Sequence, residues 1–95
     1  MKKKLIIFLI LFLAQAFSLY AENWQQLISQ AERHMQLKEY KKGIEKAYSA
    51  LNLASGQYGI KSKQAKDSVY LIALIYFYAG ETKKAEDAYE QFLNL

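Results

Sequence analysis

The sequence predicts an all-α fold of four antiparallel helices, and three observations support it. The chain of 95 residues contains no proline, the residue that most strongly interrupts helices. Beyond position 21 its apolar side chains recur at intervals of three and four residues, which places them on one face of a helix. Residues 80–95 repeat residues 38–53 at an offset of 42, with matches that include Glu39/Glu81 and Leu51/Leu93. A repeat of this length is typical of stacked helical units that bury each other's apolar faces.

The first two helices are predicted between position 23 and the glycines at 56 and 59. Asn23, followed three residues later by Gln26, forms a capping-box pair that begins the first helix. A break near Lys38 separates the two helices. Gly56 and Gly59 both favour the backbone conformation that ends a helix, so residues 57–62 are predicted to form a loop. The predicted buried faces are Trp24, Leu27, Ile28, Ala31 and Met35 in the first helix, and Tyr40, Ile44, Ala47, Leu51 and Ala54 in the second.

The third and fourth helices follow the same pattern of caps and apolar spacing. Ser62 is predicted to cap the third helix, which contains the densest apolar run after residue 21, VYLIALIYFYA at residues 69–79. This run is too short to cross a bilayer, but it suits a helix that neighbours contact on several sides. Gly80 is predicted to end the helix, and Thr82 to cap the next. The predicted buried stripe of the fourth helix is Ala85, Tyr89, Phe92 and Leu93.

Residues 1–21 have the pattern of a bacterial-type signal peptide. Lysines at positions 2–4 precede a short apolar run, LIIFLILFLA. Cleavage after Ala16 fits the small-residue rule best. Cleavage after Ala21 fits it less well but leaves a short lead into the first helix, and we expect this second cut, with residues 22–95 as the remaining domain. The alternative is a retained anchor, although Gln15 and Ser18 interrupt the run before the roughly 20 apolar residues that span a bilayer. We therefore expect an exported protein, periplasmic or secreted, with an inner-membrane-anchored form as the alternative.

Composition argues against nucleic acid as a partner and against thiol chemistry. The formal net charge of the chain is +4. Without the three lysines of the signal segment, ten basic residues stand against nine acidic ones, which leaves about +1. A nucleic-acid-binding domain would keep a strongly basic face. Because the chain contains no cysteine, disulfides and thiolate-bound metals are excluded.

No catalytic or metal-binding pattern occurs in the sequence, so we expect a protein that is not an enzyme and that needs no cofactor. His34 is the only histidine, and no pair of carboxylates accompanies it. The adjacent carboxylates Glu86 and Asp87 point in different directions on a helix. The serines lie in no nucleophile motif. The pair Gly56 and Gly59 is too closely spaced for a phosphate-binding loop.

Residues 68–93 resemble a tetratricopeptide repeat, and residues 24–51 resemble one less fully. In the later copy the motif's small residues fall on Ala73 and Ala85, its aromatic residues on Tyr76 and Tyr89, its turn glycine on Gly80 and its last aliphatic residue on Leu93. In the earlier copy Ala31, Gly43 and Ala50 occupy small positions, Tyr40 the turn aromatic and Leu51 the terminal aliphatic position. His34 stands there at an aromatic position, and Lys38 replaces the turn glycine. In the later copy Phe92 replaces the last small residue, and no proline closes either copy.

The offset of 42 exceeds the usual repeat length of about 34 residues. It is similar to the longer repeats of the kinesin-light-chain type, whose loop carries a Tyr-Gly pair like Tyr58-Gly59. The His-Pro pair that often follows in those loops is missing here. The resemblance implies a fragment of a right-handed α-solenoid with two units, at about residues 23–56 and 63–95.

In tetratricopeptide repeats the first helix of each unit lines a concave surface, which binds other proteins. Carried over to this sequence, the resemblance implies a partner-binding strip on the third helix, framed by residues of the first. The candidate binding residues are Gln25, Ile28, Glu32, Met35, Asp67, Tyr70, Leu71, Leu74, Phe77 and Tyr78. We expect an interaction module that binds a protein or peptide through this apolar strip. The alternatives are a homo-oligomer that assembles through the same strip and a membrane-anchored form that retains residues 1–21.

Overall fold

The computed structural model of the chain describes residues 22–95, which form four α-helices. They are α1 (Trp24–Gln36), α2 (Tyr40–Tyr58), α3 (Lys63–Tyr78) and α4 (Thr82–Leu93), and no strand occurs in this range. The all-α prediction is therefore confirmed for residues 22–95. The predicted signal peptide, residues 1–21, lies outside the described residues. None of the four helices is both long enough and apolar enough to cross a membrane.

Side-chain caps begin α1 and α3, as the sequence predicts. Asn23 Oδ1 accepts a hydrogen bond from the Gln26 amide at 2.8 Å, and the Asn23 amide donates to Gln26 Oε1 at 3.0 Å. Ser62 Oγ accepts from the Ala65 amide at 3.1 Å at the start of α3. The prediction for α4 is wrong, because Thr82 is the first helical residue. Glu81 takes the cap position there and makes no side-chain capping bond.

The turn between α1 and α2 and the turn between α3 and α4 have the same backbone geometry at an offset of 42. In each turn a residue with positive φ follows the helix, Lys38 at 63° and Gly80 at 80°. The first turn is closed by backbone bonds from Leu37 N to Arg33 O at 3.0 Å, Lys38 N to Met35 O at 3.0 Å and Glu39 N to His34 O at 2.8 Å. The second is closed by Ala79 N to Ile75 O at 2.9 Å, Gly80 N to Phe77 O at 3.1 Å and Glu81 N to Tyr76 O at 2.9 Å. This is the Schellman arrangement, so the sequence repeat is also a repeat of local structure.

Replacing Lys38 with glycine is expected to stabilise the domain by about 1 kcal/mol, because a residue with a Cβ is strained in the left-handed conformation that glycine adopts freely. Urea unfolding followed by circular dichroism measures the change. Lys38→Ala is the control, since it removes the charge and the long side chain but keeps the Cβ. An equal gain in the alanine variant would contradict the backbone explanation.

The loop between α2 and α3 is shorter than predicted. Helix α2 continues through Gly56 and ends at Tyr58, and Gly59 alone of the two glycines has a positive φ, 101°. The prediction of a loop from residue 57 is therefore wrong, because Gly56 is accommodated on the exposed face of the helix. The four residues from Gly59 to Ser62 make the connection, which places α2 and α3 side by side and antiparallel.

Helix α3 is the central element of the described domain. Helices α2 and α4 pack along it, and α1, which packs on α2, also touches it. The largest fully buried side chains all belong to α3: Ser68, Val69, Ile72 and Ile75. Small residues face them from α1 and α2 and let the helices approach closely; the fully buried ones are Ala31, Ala47, Ala50 and Ala54. The core therefore lies between α3 and two alanine-rich helix faces.

A side-chain hydrogen bond joins the first helix pair to the second. Trp24 Nε1 donates to Ser68 Oγ at 2.8 Å, and the Ser68 hydroxyl donates to the Gln64 carbonyl at 2.8 Å. Ser68 is fully buried, so its hydroxyl needs these partners to avoid a desolvation cost on the order of 1–3 kcal/mol. The bond fixes α1 against the start of α3.

The predicted buried stripe of α4 is only partly correct. Ala85 is buried, and Phe92 is half-buried, as predicted. Tyr89 and Leu93 are exposed at 47% and 62%, and Ala88 is buried in addition to Ala85. The reason is that α4 is the last described helix and has a neighbour, α3, on one side only. Part of its apolar surface therefore remains uncovered.

Candidate functional site

The candidate binding residues from the sequence fall on two grooves rather than on one strip. The first, which we call the α1/α3 groove, has a volume of about 260 Å³. It is lined by Trp24, Ile28, Glu32, Asp67, Tyr70, Leu71 and Leu74. Six of the ten candidate residues thus lie together, because α1 and α3 contact each other.

The other four candidates lie elsewhere. Phe77 lines a second groove, described below. Gln25 lies on a shallow polar surface of α1 beside Asn23 and Ser29. Met35 is half-buried and packs against the core. Tyr78 is exposed and lines neither groove.

Leu71 corrects the predicted division of α3 into a packing side and a binding side. It is only 6% exposed and belongs to the same buried cluster as Ile72 and Ile75. Because α1, α2 and α4 all contact α3, the buried part of this helix is wider than one apolar stripe. Leu71 therefore forms the floor of the α1/α3 groove and is not an exposed contact residue.

Two carboxylates stand at the α1/α3 groove, whose lining is otherwise mostly apolar. Glu32 is exposed on α1, and Asp67 is half-buried on α3. Asp67 forms an ion pair with Lys63, whose Nζ lies 3.3 Å from Asp67 Oδ2. Glu32 has no ion-pair partner among the described residues. The groove therefore combines apolar surface from Ile28, Tyr70 and Leu74 with a carboxylate from each of the two helices, and the one on α3 is already paired with Lys63.

The second groove lies between α3 and α4, and we call it the α3/α4 groove. Its volume is about 360 Å³, and its lining is Tyr70, Ala73, Leu74, Phe77, Thr82, Ala85, Glu86 and Tyr89. The Tyr89 ring stacks on the Phe92 ring, with the two ring centroids 6.0 Å apart. The ring centroids of Phe92 and Tyr70 are 5.6 Å apart. Sequence reasoning missed this groove because it assigned Tyr89 to the core. Tyr70 and Leu74 border both grooves.

The single histidine has a role in the first turn. His34 Nδ1 lies 3.3 Å from Glu39 Oε1, and Lys42 Nζ lies 3.4 Å from Glu39 Oε2. The hydrogen bond with His34 lowers the pKa of the Glu39 carboxyl below its ordinary value near 4.5, and Lys42 adds to this effect. The three side chains connect the end of α1 to the start of α2. Among residues 22–95, no three His, Asp or Glu side chains are grouped so that they could hold a metal ion.

Comparison of the chain with models of protein families, with curated proteins and with solved structures found no match. The site must therefore be interpreted from its own geometry.

Proposed function

We propose that this chain is a non-catalytic protein-interaction module built from two tetratricopeptide-like units, residues 23–56 and 63–95. The two turns with the same three backbone hydrogen bonds support a repeat of the helix pair. Small residues at equivalent positions, Ala31 with Ala73 and Gly43 with Ala85, support the same register in both pairs. A stacked pair of such units provides a surface between the first helices of each unit.

In this proposal the α1/α3 groove binds an apolar segment of a partner protein that also carries a basic residue. The observation that carries the proposal is that Ile28, Tyr70 and Leu74 line the same groove as the carboxylates of Glu32 and Asp67. The apolar side chains would supply burial, and the carboxylates would orient a lysine or arginine of the ligand. A half-open groove of this size accommodates a few side chains, not a whole folded domain.

We also propose that the protein acts outside the cytoplasm, in the periplasm or after secretion. The support is the pattern of residues 1–21, in which a basic start precedes a short apolar run. An exported domain without cysteine has no disulfide to stabilise it, so helix packing and partner contacts carry its stability.

Charge reversal at the α1/α3 groove tests the binding proposal. The probe is an array of short synthetic peptides with constant leucine content, in which lysine and glutamate vary the net charge. We expect the lysine-containing peptides to bind, and Glu32→Lys combined with Asp67→Lys to weaken their affinity about tenfold or more, which corresponds to ~1.4 kcal/mol.

The matched control is Glu22→Lys combined with Glu45→Lys, which changes the net charge equally at two exposed positions outside both grooves. The control variant should retain wild-type affinity. Equal weakening in both double variants would indicate a general charge effect and contradict the proposed site. Preference for the glutamate peptides would contradict it as well.

A further inference from the structure

The α3/α4 groove corresponds, at an offset of 42 residues, to a surface of the first helix pair, α1 and α2. In that first pair, α3 covers the surface. At an offset of 42, Ala85 corresponds to Gly43 and Tyr89 corresponds to Ala47. In the first pair α3 covers these positions: a Cβ built on Gly43 would lie 3.5 Å from Ile75 Cδ1, and Ala47 is fully buried. In the second pair Tyr89 is exposed, and no described helix covers the groove. The repeat therefore predicts what fits there, namely one more helix.

The filled groove also defines the direction of that helix. Helix α3 follows α2 through a four-residue loop, so it packs antiparallel to the second helix of the pair that it covers. An occupant of the α3/α4 groove in the equivalent position runs antiparallel to α4.

The opposite end of the domain does not supply a suitable helix. Helix α3 covers the first pair with a face that includes Leu71, Ile72 and Ile75. At the equivalent positions α1 carries Ser29, Gln30 and Arg33. Head-to-tail stacking of two copies would bury these polar side chains against an apolar groove, at a cost on the order of 1–3 kcal/mol for each one left without a partner. The polar face of α1 is therefore unsuited to cover the α3/α4 groove of another copy.

Helix α4 of a second copy has the properties that the groove requires. Its groove-facing residues Thr82, Glu86 and Tyr89 are followed by exposed Leu93, at intervals of four, three and four. These intervals are the same from either end of the helix, so the spacing is symmetric. An antiparallel copy would therefore set Thr82 opposite Leu93 of the second copy, and Glu86 opposite the phenol of Tyr89.

The charges of α4 fit the same arrangement. Lys83 and Lys84 lie in its first turn, whereas Glu86, Asp87 and Glu90 lie further along. Antiparallel pairing brings the basic turn of each α4 towards Glu90 of the other copy, with Glu86 and Asp87 near the centre of the pair. Parallel pairing would instead set Lys83 beside Lys83 and Glu90 beside Glu90.

We propose that two copies of this chain associate through their α3/α4 grooves, with the two α4 helices antiparallel about a two-fold axis. The contact covers Phe77, Tyr89 and Leu93, three of the exposed apolar residues of α3 and α4. Because each copy offers the same surface, the association closes at two copies. The resulting array contains four helix pairs, more than the three or so that make stacked repeats stable. Tyr70 and Leu74 border both grooves, whereas the carboxylates Glu32 and Asp67 line the α1/α3 groove alone and remain outside this contact.

Sedimentation over a range of concentrations tests the proposal, with protein purified from cells that express the full chain. We expect a dimer. Tyr89→Asp should raise the dimer dissociation constant about thirtyfold or more, as expected for a central aromatic contact residue, because it places a carboxylate opposite Glu86. Tyr58→Asp is the matched control, since Tyr58 is exposed at the end of α2 and lines neither groove. This control should remain dimeric.

A monomer at every concentration would overturn the proposal. Growth into larger assemblies, or a dimer unchanged by Tyr89→Asp, would also overturn it. Glu32→Lys with Asp67→Lys should leave the dimer intact, so failure of the peptide-binding proposal is distinguishable from failure of this one.

If circular dichroism shows that Tyr89→Asp is unfolded, a second measurement tests the proposal. The chain contains no cysteine, so Glu86→Cys introduces a single thiol next to the proposed axis. A short bis-maleimide reagent should cross-link this variant into covalent dimers, whereas Tyr58→Cys should remain uncross-linked. Equal cross-linking of both variants, or of neither, would overturn the antiparallel α4 contact.

Discussion

Replacing Leu71 with aspartate is expected to unfold the domain. Leu71 is buried in one cluster with Ala31, Ile72 and Ile75. The variant loses the burial of a leucine side chain, about 2 kcal/mol, and must place a carboxyl group on the nearly buried floor of the α1/α3 groove, at a cost of roughly 2 kcal/mol. Domains of this size have a free energy of unfolding of roughly 4–11 kcal/mol. We therefore expect loss of the helical circular-dichroism signal, or a much lower unfolding midpoint.

The control for this prediction is Tyr78→Asp on the same helix. Tyr78 is 57% exposed and lines neither groove. A carboxylate near the end of a helix costs about 0.5 kcal/mol, so this variant should remain folded. If Leu71→Asp kept the wild-type midpoint, Leu71 would be an exposed residue of the binding surface after all.

Replacing Gly43 with valine is expected to destabilise the domain by about 2–3 kcal/mol. A Cβ at this position would lie 3.3 Å from the Ala31 carbonyl oxygen and 3.5 Å from both His34 Cβ and Ile75 Cδ1. Valine adds two further methyl groups to a space that is already in contact on three sides. Because the nearest atom is backbone, the helices must move apart to admit them. Chemical unfolding, followed by far-ultraviolet circular dichroism, measures the loss.

Gly56→Val is the matched control for Gly43→Val, because both glycines lie in α2. A Cβ on Gly56 would meet no atom within 4 Å. We expect the Gly56 variant to change the free energy of unfolding by no more than about 0.5 kcal/mol, within the difference of helix propensity. Similar losses in the two variants would attribute the effect to β-branching in the helix, not to the close approach of α1, α2 and α3.

Most of the helical architecture of residues 22–95 could be predicted from local signals. The capping box at Asn23, the serine cap at Ser62 and the left-handed turn at Gly80 are short-range patterns, and all three are present. Prediction from the sequence fails at positions where the residue type alone does not determine the backbone conformation. Gly56 stays helical because nothing at an exposed position forces the chain to turn. Thr82 does not cap α4 because the turn places Glu81 at that position.

The site was less predictable because burial on α3 depends on how many helices surround it. Apolar periodicity indicates which side chains share a face, but not whether a neighbour covers that face. Periodicity therefore places Leu71 on the surface and Tyr89 in the core, and both placements are wrong. The signal for the α3/α4 groove was present in the 42-residue offset. Interpreting that signal requires the tertiary structure, because only the tertiary structure shows that α3 covers Gly43.

The hydrogen bond between Trp24 and Ser68 gives the protein an internal optical reporter. Trp24 is the only tryptophan in the chain, and its indole N–H is held by a residue 44 positions away. Its emission therefore responds to separation of the two helix pairs, whereas circular dichroism responds to loss of helix within each pair. In stacked repeats these two events need not coincide, because each unit contacts only its neighbours. Recording both signals during one unfolding experiment distinguishes uncoupling of the pairs from melting of the helices.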